Sequence, residues 1–203
     1  DNERQKRVFR KILRFAAFIS FPAMLGLGLI AKELITIAIT DNWLASANML
    51  QILCIWGAFV PIIHLYQQLI ISKGKSHIFM WSVISLGLIL LACTIAAYPH
   101  GLYTMLIVYV TINICWLFVW HFFVRREIGL RLFEALSDIL PFALIAAGVM
   151  ISTHYITEPI ANIYIRFVAK IGIAASLYIF LMWVSRSVTF RESVQYLLQR
   201  KKR

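Results

Sequence analysis

Residues 47–98 read ANMLQILCIWGAFVPIIHLYQQLII (47–71), SKGKSH (72–77) and IFMWSVISLGLILLACTIAAY (78–98). Two unbroken apolar runs flank a short polar hinge that carries Lys73 and Lys75. A helix rises ~1.5 Å per residue, so about 20 apolar residues cross the ~30 Å of bilayer hydrocarbon. Both runs are long enough. Neither alternates apolar with polar side chains, so neither reads as a strand of a membrane barrel. In lipid the backbone polar groups must be satisfied within the segment, which makes each run a predicted transmembrane helix.

The same pattern recurs along the chain. Spans are predicted at 15–31, 47–71, 78–98, 102–124, 140–155 and 167–184. Seventeen of the 20 Lys and Arg residues fall in four segments, 4–14, 73–75, 125–131 and 186–203, which alternate with pairs of spans. Cytoplasmic loops carry the Lys/Arg excess, so these four segments are assigned to the cytoplasmic side, together with both termini. The fold class expected is an all-α integral membrane protein of six transmembrane helices, a single domain over 1–203 with an amphipathic basic tail at 187–203.

Composition agrees. The chain is 61% hydrophobic with a mean hydropathy of +0.80, and only 14% of its residues are charged. A soluble domain carries roughly 25% charged residues. A net charge of +11 raises nucleic acid as a partner. The cations sit at span ends rather than on one polar face, so anionic lipid headgroups fit better and nucleic acid is rejected. Cys54, Cys93 and Cys115 are too few and scattered for a disulfide or metal framework. The five histidines share no ligand spacing. No nucleophile motif or phosphate loop occurs, so no catalytic residue, metal or cofactor is assigned and an enzyme is not expected. The chain opens on a charged stretch without an initiator Met or a cleavable signal, which suggests a fragment or processed product.

Three basic amphipathic stretches are expected to lie flat at the interface, around Val8, Phe9, Ile12 and Leu13, around Ile128, Leu132, Phe133 and Leu136, and around Phe190, Val194, Leu197 and Leu198. The alternative is a helical extension of the neighbouring span. Trp43 is expected at the outer interface, and Trp81, Trp120 and Trp183 at the inner one. Residues 32–46 are expected to form an outer loop, and Asp138 to cap the fifth span. Pro22 with Gly26 and Gly28 marks a kink and a close helix contact; Ala143, Ala147 and Ile151, beside Gly148 and Ser152, suggest a small-residue packing face in the fifth span, and Gly172 with Ser176 one in the sixth.

Polar groups inside apolar helices are costly and often functional. In the second span His64 and Gln68 share a face beside Gln67, after a kink at Pro61. They form either a patch facing a hydrophilic passenger or an ordinary interhelical contact. In the fourth span Tyr109, Asn113, Trp116 and Trp120 recur on one face. This face suits a carbohydrate path through Asn113 and Trp116, or simple packing. Arg166 and Lys170 open the sixth span one turn apart. They read as outer anchors snorkelling to headgroups, as Lys32 does, or as an anion site. No carboxylate is expected in the middle of a span.

Ser20-Phe-Pro-Ala-Met-Leu-Gly26, then Trp43-Leu-Ala-Ser46, then Leu50-Gln-Ile-Leu53 resembles the Wzx-type and teichuronic-acid-type polysaccharide exporters of the multidrug/oligosaccharidyl-lipid/polysaccharide flippase superfamily. In that family a basic run, here ending Phe9-Arg-Lys-Ile-Leu-Arg14, precedes the Phe-Pro span. A Gly-Lys or Gly-Arg loop, here Lys73-Gly74-Lys75, closes the next helix. Thr40 stands where the family usually has Gly. The likeness covers about residues 4–75. It implies the C-terminal part of a bundle of twelve to fourteen helices, with the N-terminal helices missing upstream. It also implies a bacterial inner-membrane flippase for surface polysaccharide, O-antigen included. Its substrate would be an undecaprenyl-pyrophosphate-linked oligosaccharide, moved by alternating access. The alternatives are an ion-coupled drug or metabolite exporter of the same fold, and a glycolipid polymerase or ligase.

Overall fold

A computed structural model describes residues 2–184. Those residues form six long helices: α1 (Asn2–Ala38), α2 (Leu44–Ser72), α3 (Ser76–Ala97), α4 (Leu102–Ile128), α5 (Leu132–Thr157) and α6 (Ile163–Val184). Single 3-10 turns at Asp41–Trp43 and Tyr98–His100 join α1 to α2 and α3 to α4. No strand occurs among the described residues, and all six helices are long and apolar enough to cross a membrane. The basic tail at 187–203 lies outside the described residues.

Turn chemistry sets the boundaries. Gly74 takes a φ of +73°, and its N–H and that of Lys75 close α2 on the carbonyls of Ile71 and Ile70. Gly129, at φ +65°, ends α4 by donating to the Arg125 carbonyl. Two expected loops are shorter than the sequence suggests. The 32–46 loop is mostly helix, because Leu34, Ile35 and Ile37 carry α1 on to Ala38. The 125–136 segment holds no separate interfacial helix, because α5 begins at Leu132, three residues after Gly129.

The N-terminal stretch is likewise not an interfacial helix but the first turns of α1. Phe9 and Leu13 are buried in the core, with Phe9 edge-on to Tyr66 at 5.3 Å. Lys6, Arg10 and Arg14 recur every four residues on α1 and meet two carboxylates of α5. Lys6 Nζ lies 2.8 Å from Glu134 Oε2; Arg10 Nε lies 2.6 Å from Asp138 Oδ2, and Arg14 Nε 2.9 Å from Asp138 Oδ1. Asp138 is therefore an interior residue of α5 neutralised by two guanidinium groups, not a helix cap. The backbone N–H of Arg131 at the start of α5 is satisfied by Glu134 instead.

Helix α1 is the hub. It packs against α2, α5 and α6; α2 in turn packs on α4, and α4 on α3. The core is densest at the end holding the N-terminus, where Leu13, Phe21, Tyr66, Trp120 and Phe142 interlock. Trp120 is fully buried and stacked on Phe79 at 6.0 Å, so it is not part of an interfacial belt, whereas Trp43, Trp81 and Trp183 are exposed. Lipid tails give no hydrophobic drive for helix association, so close packing matters. At Gly28 a Cβ would sit 3.4 Å from that of Cys54, which is how α1 and α2 approach. In the expected small-residue faces, Gly148 and Gly172 meet nothing within 4 Å, whereas Ala143 packs against the core.

Pro22 has no N–H and leaves the Phe18 carbonyl without its helical donor. The Tyr178 hydroxyl of α6 donates to that carbonyl at 2.9 Å. In a medium without water this is the satisfaction the backbone requires. Tyr178→Phe should lower stability by about 1 kcal/mol, and by close to nothing in a Pro22→Ala background where the helix bonds Phe18 itself. Thermal unfolding of the four variants in detergent checks this; an equal loss in both backgrounds contradicts it.

Candidate functional site

The polar groups expected in the second span divide by face. Ala58, Ile62, Tyr66 and Ile70 form the buried side of α2. His64 and Gln68 are exposed on the opposite side with Pro61 and Ser72, and Gln67 is half-buried at its edge. None of the three polar side chains bonds to another described residue. They form a polar stripe on the outside of the six-helix unit, surrounded by apolar surface such as Leu53.

The fourth-span face is a packing surface instead. Asn113 is buried and donates to the Tyr109 carbonyl at 2.8 Å, within its own helix. Trp116 donates its indole N–H to Ser82 Oγ of α3 at 3.0 Å, and Tyr109 lies edge-on to Trp56 at 5.6 Å. Asn113 and Trp116 thus bond to the backbone of α4 and to α3, and Trp116 also lines a cavity of about 350 Å³ with Trp81, Ser82 and Phe123.

Arg166 and Lys170 part company. The Arg166 guanidinium donates to the Ile160 carbonyl, through Nε at 2.7 Å, and so staples the loop before α6. Asn162 caps that helix by accepting from the backbone N–H of Tyr164 and Ile165. Lys170 does not snorkel outward. It is 4% exposed and donates to Glu33 Oε1 at 2.6 Å and to the Leu29 carbonyl at 3.1 Å, both on α1. Glu33 is 5% exposed. The charge pair lies about 10 Å along α6 from its first residue, inside the bundle. The sequence hid it because the partners are 137 residues apart. Glu33 two residues past an apolar run looked like a loop residue. The available signal was the oddity of Lys170 itself, a cation within a span.

Two cavities meet at Lys170. A cleft of about 450 Å³ between α1, α2 and α5 is lined by Lys32, Gln51, His154, Tyr155 and Lys170 over an apolar floor. Gln51 Nε2 donates to the Gly28 carbonyl there at 3.1 Å. A groove of about 520 Å³ between α1 and α6 is almost wholly apolar, and Leu29, Met150 and Lys170 line both spaces. All the polar cleft residues belong to the end of the bundle away from the Arg10–Asp138 cluster. No group of side chains among the described residues has metal-site geometry.

A family profile described as "Polysaccharide biosynthesis protein" matches residues 1–48. The chain is 25% identical over 190 residues to the teichuronic acid biosynthesis protein TuaB of Bacillus subtilis, across 90% of this chain and 39% of that protein. It is 36% identical over 78 residues to an uncharacterized membrane protein in the cps region of Klebsiella pneumoniae, 38% of this chain and 16% of that one. The chain is thus similar, at low identity, to bacterial polysaccharide-biosynthesis membrane proteins. It is also 26% identical over 102 residues to the lipopolysaccharide biosynthesis protein WzxC of Escherichia coli, 50% of this chain and 21% of that one. The chain thus spans less than half the length of each of these relatives. No solved structure matches it. With six membrane-length helices, it is a multi-pass bacterial membrane protein.

Removing one partner of a buried ion pair leaves an uncompensated charge, while replacing both with neutral groups is often tolerated. Glu33 Oε2 is itself buried without a hydrogen-bond partner among the described residues, so the pair is not optimised for stability. Lys170→Met alone should cost about 3–5 kcal/mol, and adding Glu33→Gln should restore most of it. Thermal unfolding of the full-length variants measures this, and an undiminished loss in the double variant contradicts it.

Proposed function

We propose that this chain is the C-terminal part of a transporter that moves a lipid-linked oligosaccharide, of the undecaprenyl-pyrophosphate type, across the bacterial inner membrane. The observation that carries the reading is the polar stripe of His64, Gln67 and Gln68 on the outer face of α2. Exposed to hydrocarbon, three unpartnered polar side chains would be costly, so such groups face a bundle interior or a water-filled cavity. The relatives are longer proteins of polysaccharide biosynthesis. Their additional length supplies the helices that would stand opposite the stripe and enclose a hydrophilic path between two helical units.

In this reading the basic end of the bundle is cytoplasmic. The ion pairs of Lys6, Arg10 and Arg14 with Glu134 and Asp138 hold α1 against α5 there, while the cleft lies at the opposite, outward end. A closed inner end and an open outer one is one limb of an alternating-access cycle. The sugar moves through the polar path while its lipid anchor stays in the bilayer. No bond is made or broken. A carboxylate free to couple transport to an ion is not what Glu33 offers, because Lys170 neutralises it.

Replacing His64, Gln67 and Gln68 together with Leu in the full-length protein should abolish surface polysaccharide while leaving protein level and folding intact. Immunodetection of the polymer on intact cells reads the outcome. Unchanged export at normal protein level contradicts the path assignment.

A further inference from the structure

We propose that α1 and α5 form a two-position charge ladder, along which α1 can shift by one helical turn towards the N-terminal end of the bundle without baring a buried carboxylate. Lys6, Arg10 and Arg14 repeat every four residues on α1, and Glu134 and Asp138 are four apart on α5. Residues at that spacing share a helix face. The two helices run parallel, because the partners climb together from Lys6–Glu134 to Arg14–Asp138. Equal spacing on parallel helices sets three cations against two carboxylates. In the observed register Lys6 pairs with Glu134 at 2.8 Å, and Arg10 donates to both oxygens of Asp138, at 2.6 and 3.1 Å. The third cation is held loosely. Arg14 Nε lies 2.9 Å from Asp138 Oδ1, yet it is buried without an aligned hydrogen bond to any described residue. Arg10 Nη1 likewise stands 3.6 Å from Glu134 Oε1.

Those two looser contacts are the pairs of a second register. A shift of four residues, about 6 Å, brings Arg10 level with Glu134 and Arg14 level with Asp138, and it releases Lys6. Each carboxylate stays within reach of a cation throughout. That matters because Asp138 is 5% exposed, and a buried charge without a partner is costly. The ladder is one step long. Four residues before Lys6 stands Asn2, and four after Arg14 stands Phe18. A shift the other way sets Asn2 against Glu134, and a second step sets Phe18 against Asp138, so either leaves a carboxylate bare. Two registers therefore exist and no third, which is the one-turn ratchet by which packed helices switch between discrete states. The rest of α1 is compatible with the step. Tyr178 and Lys170 bond α6 to α1, so those two helices travel together. At Gly26, α1 meets the flexible Met150 side chain of α5, which can yield.

The device involves α1 and α5 of this chain alone, so a failed export assay leaves it standing. Full-length protein with Cys54, Cys93 and Cys115 replaced by Ala carries spin labels at Val8→Cys and Ile151→Cys, both exposed positions, and is reconstituted in lipid nanodiscs. Double electron–electron resonance reads the separation. Val8 lies in the N-terminal half of α1 and Ile151 in the C-terminal half of α5, so the separation grows as α1 shifts. Lys6→Gln removes a pair of the first register and leaves the second complete; Arg14→Gln does the reverse. Each variant keeps a cation on both carboxylates, so neither leaves a bare buried charge to prevent folding. Lys6→Gln should lengthen the separation by about 5 Å, and Arg14→Gln should hold the shorter one. A fixed cluster of ion pairs gives the same separation in both variants. That result overturns the ladder, and so does a longer separation in Arg14→Gln than in Lys6→Gln.

Discussion

Hydrocarbon offers no hydrogen bonds, so each polar group within this bundle must find its partner in the protein. The packing of α1 follows from that constraint. Pro22 exposes the Phe18 carbonyl, and Tyr178 of α6 reaches it. Lys170 enters the bundle, and Glu33 meets it. Asp138 sits inside α5, and two arginines of α1 converge on it. Each pairing ties α1 to a helix distant in sequence, which makes α1 the hub. The exceptions then become informative. His64, Gln67 and Gln68 have no partner among the described residues, and lipid cannot supply one.

The two ends of the bundle differ in kind. At the N-terminal end, aromatic packing around Tyr66 and Trp120 joins the cross-helix ion pairs, and α1, α2, α4 and α5 close together. At the other end a cleft parts α2 from α5, with one buried charge pair spanning α1 and α6. Buried ion pairs are weak sources of stability compared with apolar packing of the same volume.

Much of the architecture was legible in the sequence because apolar length is a local property. The runs 47–71 and 78–98 announce two helices without reference to anything else, and Gly74 and Gly129 mark where helices end. What stayed hidden is what depends on pairing. The basic stretch at 4–14 fits an interfacial helix and a helical extension equally well, since both need one apolar stripe among cations. Glu134 and Asp138, more than a hundred residues away, decide between them. For the stripe through Asn113 and Trp116 the sequence left a path and simple packing both open, because the bond of Trp116 to Ser82 exists only in three dimensions. Spacing alone puts His64 and Gln68 on one face, and the isolation of that face from the rest of the unit became visible only when the buried side of α2 was known.

The central claim is that the outer face of α2 borders water rather than lipid in the complete protein. Thiol accessibility tests it most directly. In a full-length background with Cys54, Cys93 and Cys115 replaced by Ala, single cysteines are placed at His64, at Gln68 and at Leu88, an exposed apolar position on α3. Intact cells or oriented vesicles are then treated with a membrane-impermeant, charged thiol reagent. The account predicts modification at positions 64 and 68 and none at 88. If positions 64 and 68 are as unreactive as 88, the stripe faces lipid or sealed protein, and the path along α2 does not exist.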